Sequence, residues 1–156
     1  MAIEDPRLAT GTDTNDKIIC LAEVAMSTPA GVAVTSGTPV KIAGTTAGVF
    51  ETNGLAVTSQ GRITYKGPPG TFLVVAQAGL SASSDNNANP ILYLAKNGTF
   101  IPGTRMRKTT NRSNETGSQS LNWNIELERD DYIELFVDAD TSDTITAETM
   151  ILSLIG

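Results

Sequence analysis

Five carboxylates fall within nine positions: Glu126, Glu128, Asp130, Asp131 and Glu134. Two such groups with separated pKa values could cleave a glycosidic bond, one as acid and the other as base or nucleophile. The alternation of the flanking segments argues against that use. It places these acids on solvent-facing strand positions and in a tight turn, with no evident deep cleft to raise one of them. Asp138, Asp140 and Asp143 form a second acidic group, in a turn after an apolar run. Hard oxygen ligands at this spacing suit calcium, but the glycine and bidentate glutamate of an EF-hand loop are missing. A polar connecting turn and a calcium site both stay open, and no metal or cofactor is assigned. Arg105, Arg107, Lys108 and Arg112 put four of the 11 basic residues into eight positions. The alternatives are a solvated loop and a patch that docks on an acidic neighbour, acting on rate and orientation more than on affinity.

The rest of the usual chemistry is excluded by composition. With no His and one Cys, the chain cannot assemble a Ser-His-Asp triad, a Cys-His dyad or a Cys/His zinc site. Cys20, inside Ile18-Ile19-Cys20-Leu21-Ala22, reads as a buried thiol acting as a small hydrophobe. A net charge of -6 repels phosphate polymers and anionic lipid, so neither nucleic acid nor a membrane is expected as partner. No apolar run approaches the length of a membrane span. The opening residues lack the apolar core of a signal peptide, so synthesis in a host cytoplasm is expected. Asn97-Gly-Thr, Asn111-Arg-Ser and Asn114-Glu-Thr are accordingly read as chance matches to the glycosylation pattern.

At 156 residues and 40% hydrophobic, the chain is the size of one globular domain. Residues 1–16 are small and polar, without periodicity, and read as an extended N-terminal arm; residues 17–156 read as the folded domain. From residue 17 onward, short runs rich in Val, Ile, Thr and Phe alternate with Gly, Pro, Asn and Asp clusters, which predicts an all-β sandwich with almost no helix. The predicted strands are 17–26, 40–43, 55–58, 62–65, 71–79, 91–96, 120–128, 132–138 and 144–155. Asn97-Gly98 tolerates positive φ at both positions, which makes 91–100 a hairpin. In Tyr132-Ile133-Glu134-Leu135-Phe136-Val137-Asp138, the aliphatic residues share one face, and Tyr132, Glu134, Phe136 and Asp138 the other. Two aromatics on a non-core face are either scattered surface residues or part of a subunit interface. Trp123 alternates with Leu121, Ile125 and Leu127 and is expected in the core.

The segments 72–78, Leu80-Ser81, 92–98, 121–127, 131–137 and 152–156, with the Lys96-Asn97-Gly98 turn and the Asp131-Tyr132 pair, resemble the jelly roll of tumour necrosis factor and complement globular heads. The resemblance covers about residues 60–156. It implies a single-domain jelly-roll sandwich and a homotrimer, with Tyr132 and Phe136 as expected interface residues. Some members of that superfamily hold calcium near the trimer axis. Versions without a signal peptide or collagen stalk are similar to structural proteins of tailed bacteriophages. The expectation is therefore a non-enzymatic capsid decoration, or cement, protein on the virion surface. Its partner would be the major capsid protein of the same particle, docked in part through Arg105, Arg107, Lys108 and Arg112. The alternative is the receptor-binding head of a head or tail fibre.

Overall fold

The computed structural model describes residues 20–51, 56–84, 88–109 and 113–156. Twelve strands are present among them: β1 (Cys20–Val34), β2 (Val40–Lys41), β3 (Gly44–Glu51), β4 (Ala56–Ser59), β5 (Arg62–Tyr65), β6 (Gly70–Ala82), β7 (Pro90–Lys96), β8 (Thr99–Phe100), β9 (Met106–Arg107), β10 (Gly117–Leu127), β11 (Tyr132–Ala139) and β12 (Asp143–Ile155). Among the described residues the one helical element is a 3-10 turn at Pro102–Thr104. The segment 1–16, read as an arm, lies outside the described residues, as does Arg112.

The strands form two antiparallel sheets. The first runs in the order β10-β6-β12-β1-β3; the second runs β4-β5-β11-β7-β8, with β2 paired to β11 and β9 paired to β7. Their facing sides alternate as the sequence pattern requires. Val74, Ala76 and Leu80 of β6 and Met150, Leu152 and Leu154 of β12 meet Ile133, Leu135 and Val137 of β11 and Leu92 and Leu94 of β7 in one buried cluster. Burying a side chain of this kind contributes about 1.5–3 kcal/mol, so this aliphatic layer is what holds the sheets together.

Local chemistry accounts for the best-predicted parts. The β7–β8 hairpin pairs Lys96 with Thr99 and Ala95 with Phe100, and its turn residues have φ 52° at Asn97 and 75° at Gly98. Both values belong to the turn type that follows the twist of a two-residue hairpin. Three expectations need correction. The first strand does not end at Met26; it continues through Pro29 to Val34. A register shift between Ala25 and Ala30 absorbs the proline, which cannot donate to a ladder. A strand at Gly44–Glu51, where none was expected, pairs with β1; Gly44, Ala47 and Gly48 interrupt the strand signal of its Thr, Val and Phe. Glu134 is not solvent-facing. It is 5% exposed, for the reason given below.

Candidate functional site

Described from its backbone register, the outer face of the first sheet is nearly free of charge. Four rows cross it. Ala25, Ile151, Gln77 and Ser120 lie side by side; next come Glu23, Ser153, Val75 and Asn122; then Ile155, Leu73 and Asn124; and finally Thr149, Gly79 and Ser118. Glu23 is the one charged residue in these rows, and Ser153 donates to its carboxylate at 2.8 Å. Two more acids stand at the margin: Glu126, paired in register with Thr71, and Glu148, which accepts from Ser81 at 3.0 Å. Ile151 is 41% exposed; Val75 in the next row and Leu73 and Ile155 in the row beyond it are half-buried. Gly79 leaves a shallow dent of about 260 Å³ between Gln77, Ser118, Ser120 and Thr149. A Cβ there would come within 2.8 Å of the Thr149 hydroxyl, so the dent cannot be filled without moving a neighbour.

A second apolar patch lies at the seam where β10, the edge of the first sheet, meets β9, at the edge of the second. Trp123 has the core-facing parity expected of it, yet it is 36% exposed rather than buried. An edge strand has no further strand beside it to cover a side chain that large. One side of the indole is covered by the 3-10 turn, where a Cβ on Gly103 would lie 3.1 Å from the ring. Met106, paired with core-facing Leu92, is 39% exposed at the same seam. The expected basic segment flanks it. Arg107 donates through Nε to Asp140 at 2.7 Å, Arg105 lies 3.6 Å from the same carboxylate, and Lys108 is exposed with its stem over Gly117. One carboxylate therefore answers two of the three described cations, and the seam keeps a positive balance.

The outer face of the second sheet carries Tyr132 and Phe136, and here the charges are answered locally. Phe136 lies between Lys41 and Tyr93 in register, and Glu134 between Arg62 and Ala95. Lys41 donates to Glu134 at 2.5 Å, which is what allows a carboxylate to be buried in mid-strand. The Arg62 guanidinium sits 4.8 Å from the centre of the Tyr132 ring. Tyr93 and Phe100 pack with ring centres 5.2 Å apart. Tyr132 and Phe136 are half-buried among these neighbours.

Most of the aspartates singled out by spacing are likewise engaged. Asp131 is pushed up by burial, but hydrogen bonds from Asn97, the Glu128 amide and Lys96, with the charge of Lys96, outweigh this and hold its carboxyl at about 2. Asp130 pairs with Lys66 at 2.6 Å. Of the three aspartates considered for calcium, Asp140 is desolvated but lowered overall by Asn89, Arg107 and Arg105. Asp143 is likewise desolvated but lowered overall by Ser83, Ser84 and the Thr144 amide. Asp138 accepts from the amides of Gly37 and Ala139. Each faces its own donors, and among the described residues no group of three metal-ligating side chains converges. A general acid needs its carboxyl raised; Asp131, Asp140 and Asp143 are all shifted the other way.

No protein-family model and no curated protein matches the sequence. Solved structures do. The globular domain of a zebrafish complement 1qA protein superposes with a TM-score of 0.56 at 13% identity, covering 87% of this chain and 95% of that one. The Eiger TNF of S. frugiperda gives 0.54 at 18% identity, over 88% and 91%. Murine APRIL gives 0.52 at 12% identity, over 85% and 97%. At such low identity the likeness rests on strand order and sheet packing, and on that ground the chain has the all-β jelly-roll fold of tumour necrosis factor and complement globular domains.

Proposed function

We propose that the protein is a non-enzymatic homotrimer that decorates a bacteriophage capsid and clamps neighbouring capsomers. The observation that carries the trimer is the split of exposed apolar surface into two unlike patches on each protomer. Closed three-fold symmetry needs a heterologous contact, in which one patch of a protomer meets a different patch of the next. The seam with Trp123 and Met106, edged by Arg105, Arg107 and Lys108, fits the first-sheet face with Ile151, Leu73 and Val75, which carries Glu23 and is edged by Glu126 and Glu148. Apolar surface meets apolar surface and cations meet carboxylates. In this arrangement Tyr132 and Phe136, the interface residues expected from sequence, lie on the side turned away from the three-fold axis.

The reading of a capsid role draws on the resemblance described from sequence and on the geometry of multivalency. A trimer placed where capsomers meet makes each weak contact three times, at high effective concentration. Light scattering of the purified protein is expected to give three times 16.4 kDa, and virions lacking the protein are expected to release their genome at lower temperature. A monomer at micromolar concentration overturns the trimer. Equal heat resistance of bare and decorated particles overturns the cement role.

A further inference from the structure

Asn-Gly is the dipeptide most open to deamidation, because glycine puts no side chain in the way of its own backbone nitrogen. That nitrogen attacks the Asn side-chain carbonyl carbon, a C–N bond forms, and the amide nitrogen leaves as ammonia carrying the proton lost from the backbone. Water then opens the cyclic imide to aspartate or isoaspartate. Asn97-Gly98 is exposed at the tip of the β7–β8 hairpin, within reach of water and base. Its side chain, however, is held at both polar atoms. The Nδ2 donates to Asp131 Oδ1 at 2.7 Å, and Oδ1 accepts from the Tyr132 amide at 2.9 Å. The Asn97 amide itself donates to the Tyr132 carbonyl at 2.9 Å. Asp131 is fixed in turn by the Glu128 amide at 2.8 Å and by Lys96 at 2.8 Å. The Tyr132 hydroxyl covers Gly98, 3.3 Å from where its Cβ would be.

For Gly98 nitrogen to reach the Asn97 side-chain carbon, both of these hydrogen bonds must break together. We infer that Asn97-Gly98 is a conditional deamidation site, withheld by the folded hairpin and committed once the hairpin opens locally. The product cannot rebuild the clasp. A carboxylate at position 97 meets the Asp131 carboxylate where an amide donor had been, and two carboxylates in contact cannot both stay ionised without cost. Local opening of a surface hairpin thus becomes a one-way event that ages the molecule.

The test is peptide mass mapping of the full chain incubated at pH 8.5, folded and in concentrated urea. Deamidation at Asn97 is expected to be at least about tenfold slower in the folded protein, since opening must disrupt a hydrogen bond to a charged acceptor. Asp131→Ala is expected to speed it several-fold in the folded protein. Asp131→Asn, which keeps an acceptor oxygen, leaves it slow, and Asp140→Ala, which loosens a different ion pair, has no effect. Equal rates folded and unfolded, or equal acceleration by Asp131→Ala and Asp140→Ala, overturn the inference. The mimic Asn97→Asp should lower the Tm, and adding Asp131→Asn should restore it by reversing donor and acceptor; an unchanged Tm for the single variant overturns the one-way step.

Discussion

The two outer faces of the sandwich are built from the same alternating strands but dispose of their polar groups in opposite ways. On the second sheet, Lys41 answers Glu134, Arg62 covers Tyr132 and Phe100 packs on Tyr93. Little is left unsatisfied there for a partner to supply. On the first, Ile151 stands open among small amides and hydroxyls, and no Lys or Arg enters its four central rows. What a surface aromatic offers to a partner therefore depends on its neighbours as much as on its exposure. Tyr132 and Phe136 are conspicuous in the sequence, yet Arg62 already serves one of them and Lys41 stands beside the other. Ile151 is an ordinary residue in an ordinary strand until its surroundings show that nothing covers it.

The largest expected effect is that of Ile151→Glu. A charge placed in the centre of the first-sheet face should weaken the trimer about a hundredfold or more, as loss of a central contact does, and shift the scattering mass toward 16.4 kDa. The fold should survive because the side chain is 41% exposed. Tyr132→Ala and Phe136→Ala should leave the mass unchanged. The opposite pattern, dissociation by Phe136→Ala but not by Ile151→Glu, would exchange the roles of the two faces.

Next in size is Glu134→Ala, which leaves Lys41 without its partner and opens a gap under the second-sheet face. Breaking a buried pair costs about 3–5 kcal/mol; with Lys41 34% exposed and able to turn to water, about 2 kcal/mol is expected. Urea unfolding measures it, and the oligomer mass should not change. A loss of trimer without loss of protomer stability would show that this face is not self-contained.

Acid sharpens the contrast further. Asp131 has its folded value lowered from 3.8 to about 2, so its contribution is fully present above the unfolded value and disappears as pH falls through the folded one. Thermal unfolding between pH 5 and 2 should show a loss of about 1–2 kcal/mol attributable to this group, and Asp131→Asn should flatten that part of the profile. A profile unchanged by the substitution would mean that the Asn97 and Lys96 contacts do not favour the ionised form.

The smallest effect belongs to the seam. Lys108→Ala should slow association a few-fold at low ionic strength and make no difference at about 0.5 M salt, where the screening length falls to a few ångströms. A loss that persists at high salt would place the lysine stem, rather than its charge, in the contact.

Alternation with period two, Asn-Gly and Pro-Gly punctuation and the length of the apolar runs are local properties. They determined β5 to the residue, the β7–β8 hairpin with its positive φ values, the core face of β11 and the all-β class. The physical reason is that a strand's two faces and a two-residue turn are set by residues adjacent in the chain. What spacing could not reach depended on residues far apart. Gly44–Glu51 becomes a strand because β1 offers it an edge. Glu134 is buried because Lys41, 93 positions earlier, arrives beside it. Trp123 stays at the rim, despite its core parity, because β10 is the last strand of its sheet. Asp131, Asp140 and Asp143, neighbours in sequence to other acids, each face their own donors. Burial and electrostatics depend on what the fold brings within a few ångströms, and only the tertiary structure decides that.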